Sequence, residues 1–130
     1  MIHHVTRAVA PSRLKACAEF YMLLGFEPVE PPPGIAGRAL WLQSPPAGPR
    51  TQVHLMPRED ARPEHGHFAI VCAEYEETLQ RLRDAGHDVE PRRRRWGSPR
   101  AFAHDPEGNI VELMEFPPPE REQPPRGRRE

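Results

Sequence analysis

The sequence predicts an α+β domain made of two βαβββ modules. Two observations lead to this prediction. Stretches of alternating apolar residues, typical of strands, and stretches with apolar residues at i, i+3 and i+4, typical of helices, follow one another in the order βαβββ twice. The motif Leu-Gly-Phe-Glu-Pro-Val-Glu at residues 24–30 also resembles Ala-Gly-His-Asp-Val-Glu at residues 85–90. A repeated motif between repeated elements indicates that both halves adopt the same local structure.

Module one is expected over residues 1–57. A first strand leads into a helix, for which Ser12 is the predicted N-cap and Gly25 the predicted residue beyond the C-terminus. Turns rich in Pro and Gly separate the strands that follow. The predicted elements are a strand over residues 2–9, a helix between Ser12 and Gly25, and strands over residues 26–30, 38–43 and 51–56.

Module two is expected over residues 66–116, and its last two strands are joined by a tight turn. Pro106 presets φ in this turn, Gly108 permits a positive φ, and Asp105 can accept hydrogen bonds from backbone N–H groups. Residues 117–130 are rich in Pro, Arg and Glu and are expected to form a flexible tail. The predicted elements are a strand over residues 67–72, a helix over 74–85, and strands over 88–90, 100–104 and 110–116.

The composition predicts a soluble single-domain protein. A chain of 130 residues has room for one core, and a formal net charge of −1 gives no electrostatic reason to bind nucleic acid or a membrane surface. The two cysteines form neither a disulfide framework nor a zinc-binding spacing. The N-terminus lacks the pattern of a signal peptide, and no apolar run is long enough to span a bilayer. A cytoplasmic location is therefore the default expectation.

Four side chains at equivalent places in the two modules are predicted to bind a metal ion. His4 and His67 lie near the start of each module's first strand, and His54 and Glu112 lie in each module's last strand. If the two sheets fold toward each other, these side chains meet. Three imidazoles and one carboxylate suit a divalent transition metal such as Zn, Ni, Co, Mn or Fe. With four ligands, an octahedral ion keeps two positions for water or substrate, which is typical of catalytic sites.

Together these residues resemble the vicinal oxygen chelate superfamily, which includes glyoxalases, bleomycin-resistance proteins and extradiol dioxygenases. The resemblance covers nearly the whole chain except the tail, and its motifs are typical of the superfamily rather than of one activity. The resembling stretches are His3-His4-Val5-Thr6, Glu19-Phe20-Tyr21 with Leu23-Leu24-Gly25-Phe26, Gly66-His67-Phe68-Ala69, and Asp105-Pro106-Glu107-Gly108-Asn109-Ile110-Val111-Glu112.

This resemblance implies a curved, half-barrel-like mixed sheet around a central cleft, a homodimer, and a metal site within one chain or across two. The metal positions of the family, on strands one, four, five and eight, match His4, His54, His67 and Glu112. In glyoxalase-like chemistry a small substrate chelates the metal through two vicinal oxygens, and Glu112 would then serve as both ligand and catalytic base. Arg7 departs from the family, which usually has an apolar residue at this position.

Other interpretations of individual residues stay open. Glu112 could instead form a buried ion pair with an arginine such as Arg100, and the run Arg92–Arg95 could be a solvated loop or a contact for an anionic substrate. Apolar residues on the same strands are predicted to line the substrate pocket, because ligand sites are mostly apolar, although simple core filling is the alternative. The predicted pocket residues are Trp41, Met56, Phe102 and Met114. The remaining histidines, His3, His65, His87 and His104, are expected to be exposed or hydrogen-bonded.

The predicted function is a metal-dependent, glyoxalase-like lyase or isomerase acting on a small molecule. One alternative is a binding protein of the bleomycin-resistance type, in which Trp41, Trp96 and Phe102 would supply stacking surfaces. The other alternative is an Fe(II)-dependent ring-cleaving dioxygenase. Without His54, the remaining three ligands form a set of two histidines and one carboxylate, which suits iron and oxygen.

Overall fold

A computed structural model describes residues 1–35, 37–46 and 48–121, and within them the elements follow the βαβββ order twice. The predicted α+β class is therefore confirmed. The tail predicted over residues 117–130 lies outside the described residues from 122 onward. Neither helix in the described ranges has the length and apolar character needed to cross a membrane. The elements are β1 His4–Val9, α1 Leu14–Leu23, β2 Glu27–Val29, β3 Leu40–Gln43, β4 Gln52–Pro57, β5 His67–Val71, α2 Tyr75–Asp84, β6 Val89–Arg92, β7 Arg100–His104 and β8 Ile110–Met114.

Each module forms an open four-stranded mixed sheet. The strand order is β1-β4-β3-β2 in module one and β5-β8-β7-β6 in module two, and in each sheet the first listed pair is parallel while the others are antiparallel. The registers are equivalent as well, because Thr6 lies opposite His54 in module one and Ala69 lies opposite Glu112 in module two. The repeat seen in the sequence is thus a repeat of strand pairing.

Both helices end in the same hydrogen-bonded turn, which explains the repeated sequence motif. After α1, Gly25 has a φ of 96° and donates its N–H to the carbonyl of Met22, while Phe26 donates to Tyr21. After α2, Gly86 has a φ of 85° and the same two bonds recur. This Schellman motif requires a left-handed residue, and glycine adopts that conformation without a steric penalty.

The start of α1 differs from the prediction. Residues Pro11–Arg13 form a 3₁₀ turn, and α1 begins only at Leu14 with no side-chain cap. The turn is closed by a hydrogen bond of 2.8 Å from the Arg13 N–H to the Ala10 carbonyl. Proline presets φ at the first position of this turn and has no N–H to be capped. The prediction of Ser12 as the N-cap is therefore wrong, since that residue lies within the turn.

The two modules share one apolar core. Helix α1 packs against α2, and fully buried residues from both modules belong to the same cluster, among them Phe20, Leu55, Leu82 and Leu113. Strand alternation places apolar residues of β1, β4, β5 and β8 in this cluster or against it. The other face of each sheet, which carries the predicted metal ligands, therefore points away from the shared core.

A buried hydrogen-bond network joins α1 to the turn between β7 and β8. The Tyr21 hydroxyl donates to Oδ2 of Asp105 at 2.9 Å, and Oδ1 of Asp105 accepts from the backbone N–H groups of Glu107 and Asn109, both at 2.9 Å. The predicted role of Asp105 in the turn is confirmed. Burial, and then the negative charge of Asp105, raise the pKa of Tyr21, so that its hydroxyl stays protonated as a donor.

Arg7, which departs from the family pattern, lies at the same junction. It is only 7% exposed, and its Nη1 donates to Oε2 of Glu64 at 3.0 Å. Its guanidinium carbon also lies 5.0 Å from the centre of the Phe68 ring. Since Arg7 is on β1 and Phe68 on β5, this cation–π contact links the first strands of the two modules.

Replacing Tyr21 with Phe should lower the free energy of unfolding by about 1.5–3 kcal/mol, because buried Asp105 loses a hydrogen bond to its charged carboxylate. Chemical denaturation measures the change. Tyr75→Phe is the matched control, since Tyr75 is also buried but makes no hydroxyl hydrogen bond within the described ranges; its loss should stay below about 0.5 kcal/mol. Equal losses in the two variants would contradict the role of the Tyr21–Asp105 bond.

Candidate metal centre

In module two, Glu112 lies between two basic side chains. Its Oε2 is 3.1 Å from Nε2 of His67, and its Oε1 accepts a hydrogen bond of 2.6 Å from Nε of Arg100. Because Val111 and Leu113 are buried in the core, Glu112 faces the other side of β8, where these neighbours leave it 7% exposed. The ion pair with Arg100 that the sequence suggested is present, and it occupies one carboxylate oxygen.

The spacing of His67 and Glu112 fits two ligands of one metal ion. Bonds of about 2.1 Å from a metal to nitrogen or oxygen place adjacent donors of an octahedral ion about 3.0 Å apart. The observed separation of Nε2 and Oε2 is 3.1 Å. Arg100 bonds to the other oxygen, so it does not compete for this position. The same distance is that of a direct hydrogen bond between the imidazole and the carboxylate, which is the contact that the structure shows.

In module one, His4 and His54 stack instead of converging. Their ring centres are 4.1 Å apart with planes at 14°, and Trp41 from β3 also stacks on His54 with centres 4.1 Å apart. His54 Nε2 is 2.7 Å from Oε1 of Gln52, and His4 Nδ1 is 2.9 Å from Nδ1 of His3. Two parallel rings do not point their nitrogens at a common atom. Binding one ion with both would require at least one ring to rotate.

The environment of His54 favours its neutral form. Burial lowers the pKa of His54, and the neighbouring His4 and His3 lower it further. A neutral imidazole is the form that binds a metal. An amide oxygen only accepts, so Nε2 of His54 donates to Gln52 and Nδ1 keeps the free lone pair. The sequence analysis did not identify Gln52 as part of this site. Its amide also donates to Gln43 at 3.3 Å. Its position opposite His4, on the same face of the sheet, could have indicated its role.

The two pairs do not come together within one chain. In residues 1–35, 37–46 and 48–121, no group of three or more His, Cys, Asp or Glu side chains is arranged to hold a metal ion. The pairs nevertheless occupy equivalent positions in the two sheets. In module one, His4 lies two residues before Thr6, the residue opposite His54. In module two, His67 lies two residues before Ala69, the residue opposite Glu112. Each module thus carries two of the four predicted ligands.

The four predicted pocket residues divide in the same way. Trp41 and Met56 share the ligand face of sheet one, and Phe102 and Met114 share that of sheet two. The Phe102 ring lies 5.0 Å from that of His67. Met56 is 41% exposed, whereas Met114 is buried. A cavity of about 570 Å³ lies elsewhere, between the end of α1 and the edge of β5, and it includes none of the predicted ligands.

These features agree with the family to which the chain belongs, the Glyoxalase/Bleomycin resistance protein/Dioxygenase superfamily, whose sequence pattern matches residues 1–113. A glyoxalase family protein from Bacillus anthracis has a similar structure, with a TM-score of 0.75, 24% identity, and coverage of 88% of this chain and 93% of that chain.

Two further solved structures share the fold. For lactoylglutathione lyase from Agrobacterium tumefaciens the TM-score is 0.62 at 24% identity, covering 88% of this chain and 92% of that chain. For a bleomycin resistance determinant encoded on the transposon Tn5 the TM-score is 0.63 at 17% identity, covering 85% and 95%. The comparison with functionally curated proteins gives no match. At these identities, the structural similarity supports the fold alone.

The lowered pKa of His54 predicts that the metal-free protein becomes less stable in acid. In the unfolded protein, the His54 imidazole takes up its proton near its ordinary pKa of 6.5. In the folded protein it does so only at a lower pH. As the pH falls below about 6.5, the unfolded state therefore binds more protons and the free energy of unfolding declines. His54→Asn should flatten this decline in denaturation curves recorded at closely spaced pH with a chelator present.

The matched control for this experiment is His65→Asn, which changes an exposed histidine on the connection between the modules. This variant should keep the decline seen in the wild-type protein. Identical curves for wild type and His54→Asn would contradict the assignment to His54.

Proposed function

We propose that the protein is a metal-dependent enzyme of the glyoxalase type, a lyase or isomerase whose small substrate offers two vicinal oxygens to a divalent metal ion. The observation that carries this proposal is the His67–Glu112 pair, whose nitrogen and oxygen are 3.1 Å apart on the outward face of sheet two. Two further imidazoles at the equivalent positions of sheet one supply the rest of a suitable ligand set. Family membership supports the proposal, because glyoxalases belong to the same superfamily.

The arrangement favours a site formed by two chains. The ligand faces lie opposite the shared core, so a second copy can approach them without unfolding either module. In a two-fold dimer, module one of each chain would meet module two of the other, and symmetry would form this contact twice.

Within this proposal, the side chains of the site have distinct tasks. The four predicted ligands would hold the ion, and a bound divalent ion supplies Lewis acidity to a carbonyl oxygen. Glu112 would accept a proton from the carbon beside that carbonyl, as a general base held within reach of the substrate. Arg100 orients the carboxylate through its bond to Oε1. Phe102 and the other apolar residues of the face would exclude water from the substrate.

A second function, binding of an aromatic compound without a metal, is favoured by one observation. Trp41, His54 and His4 form a continuous stack of rings, which provides a flat surface for another ring. In this alternative Glu112 needs no metal, because Arg100 already neutralises it. Ligand binding that is unaffected by a chelator would support this function over the first.

The first proposal predicts that protein freed of metal by dialysis binds Zn, Ni, Co, Mn or Fe(II) with one ion per chain. His67→Ala/Glu112→Ala should abolish this binding, because it removes two of the four predicted ligands. Isothermal titration calorimetry measures both results. His65→Ala, which removes an exposed imidazole outside the site, is the control and should bind normally. A wild-type protein that binds none of these ions would contradict the proposal.

A site across two chains predicts complementation between two inactive variants. His4→Ala/His54→Ala and His67→Ala/Glu112→Ala should each bind no metal alone. When the two are unfolded together and refolded, each mixed dimer should regain one complete site, from module one of one chain and module two of the other. Titration of the mixture measures the recovered sites. Normal dimerisation without any recovered binding would place the site within one chain.

A further inference from the structure

The arginines of the run Arg92–Arg95 have different positions in the structure. Strand β6 continues beyond its predicted end at Glu90 and includes Arg92, which lies directly opposite Arg100 of β7. Residues that are directly opposite in a sheet point to the same face. Arg92 is therefore on the face that carries the His67–Glu112 pair, whereas the other three arginines of the run follow the end of the strand.

A chain of ring contacts connects Arg92 to the His67–Glu112 pair. The guanidinium carbon of Arg92 lies 4.7 Å from the centre of the Phe102 ring, and that ring lies 5.0 Å from the ring of His67. The distance from the guanidinium carbon of Arg92 to the centre of the His67 ring is therefore at most the sum of these two distances. Stacking on an aromatic face occupies the flat side of a guanidinium and leaves the N–H groups at its edge free to donate.

On this face Arg92 and Arg100 are matched in number by Glu90 and Glu112, and the three exposed arginines that follow the strand add positive charge beside it. In the part of the chain that the structure describes, Arg100 forms an ion pair with Glu112, and Arg94 donates to the backbone carbonyl of Gly97. Glu90 shares the face of β6 with Arg92, but the two form no ion pair. The whole chain carries a net charge of −1, so the positive charge of the arginine run is local. An exposed, oriented guanidinium beside an apolar ring suits an oxyanion.

We propose that Arg92 anchors the substrate by binding a terminal carboxylate or phosphate, while the vicinal oxygens of the same molecule reach the metal ligands. This inference rests on the proposed function and adds the substrate class, a small chelating molecule with an anionic end. Arg100 is less suited to this role, because its Nε is bound to Glu112 and its Nη1 donates to the Arg93 carbonyl at 2.8 Å. The remaining arginines of the run add long-range attraction for an anion.

Matched hydroxamates test this inference, because a hydroxamate chelates a metal through two adjacent oxygens. Succinohydroxamate differs from butyrohydroxamate by a terminal carboxylate, and phosphonoacetohydroxamate differs from acetohydroxamate by a phosphonate. Calorimetric titration of the cobalt-loaded protein gives the four affinities. Charge-assisted hydrogen bonds to Arg92 should make at least one anionic probe bind about tenfold tighter than its neutral match.

The variant Arg92→Gln should remove this preference and change the affinity for the neutral probes by less than about twofold. Arg83→Gln, which changes an exposed arginine on α2, is the control and should keep the preference. Raising the salt concentration should weaken the preference in the wild-type protein. A preference for one anionic probe alone assigns the anion as carboxylate or phosphate.

Two results would overturn the inference and leave the proposed function standing: neutral and anionic probes that bind equally to the wild-type protein, or a preference that survives in Arg92→Gln. A cobalt-loaded protein that binds neither neutral hydroxamate would contradict the proposed function itself, and the inference would fail with it.

Discussion

The carboxylate of Glu112 is the group around which the second module is arranged. It is 7% exposed, and a buried carboxylate is costly unless it is paired and hydrogen-bonded. Here a guanidinium binds one oxygen and an imidazole lies beside the other. The alternation of β8 allows no other orientation, because Val111 and Leu113 fill the core. A shift of one residue in register would bury the carboxylate in the core and expose both apolar neighbours.

The register of β8 is linked to module one. Asp105 closes the turn before β8 and accepts a hydrogen bond from Tyr21 of α1, while Arg7 of β1 stacks on Phe68 of β5. The two modules are therefore held together on the core side, by contacts that also fix where Glu112 lies. On their outward faces the four predicted ligands form two pairs at equivalent positions, and these pairs do not meet within the described part of one chain.

The features that were predicted correctly from the sequence are those that depend on the periodicity of short segments. Alternation assigned each predicted ligand to its face, and the glycines after the helices marked their ends, because both depend on a few adjacent residues. The N-cap was wrong since Pro11 favours a tighter turn. The stacking of His54 on Trp41 and its bond to Gln52 depend on side-chain rotamers and on the pairing of β3 with β4, which no local pattern specifies. Whether the two pairs of predicted ligands meet depends on how chains pack together, and that is further still from local sequence.

The central claim is that one ion is held by imidazoles from both modules. The X-ray absorption spectrum of the zinc-loaded protein tests it directly, because imidazole rings produce outer-shell scattering that can be counted. The wild-type spectrum should show three imidazoles and one carboxylate, and the single variants His4→Ala and His54→Ala should each show one imidazole fewer. A wild-type spectrum with a single imidazole, unchanged in these two variants, would contradict the claim.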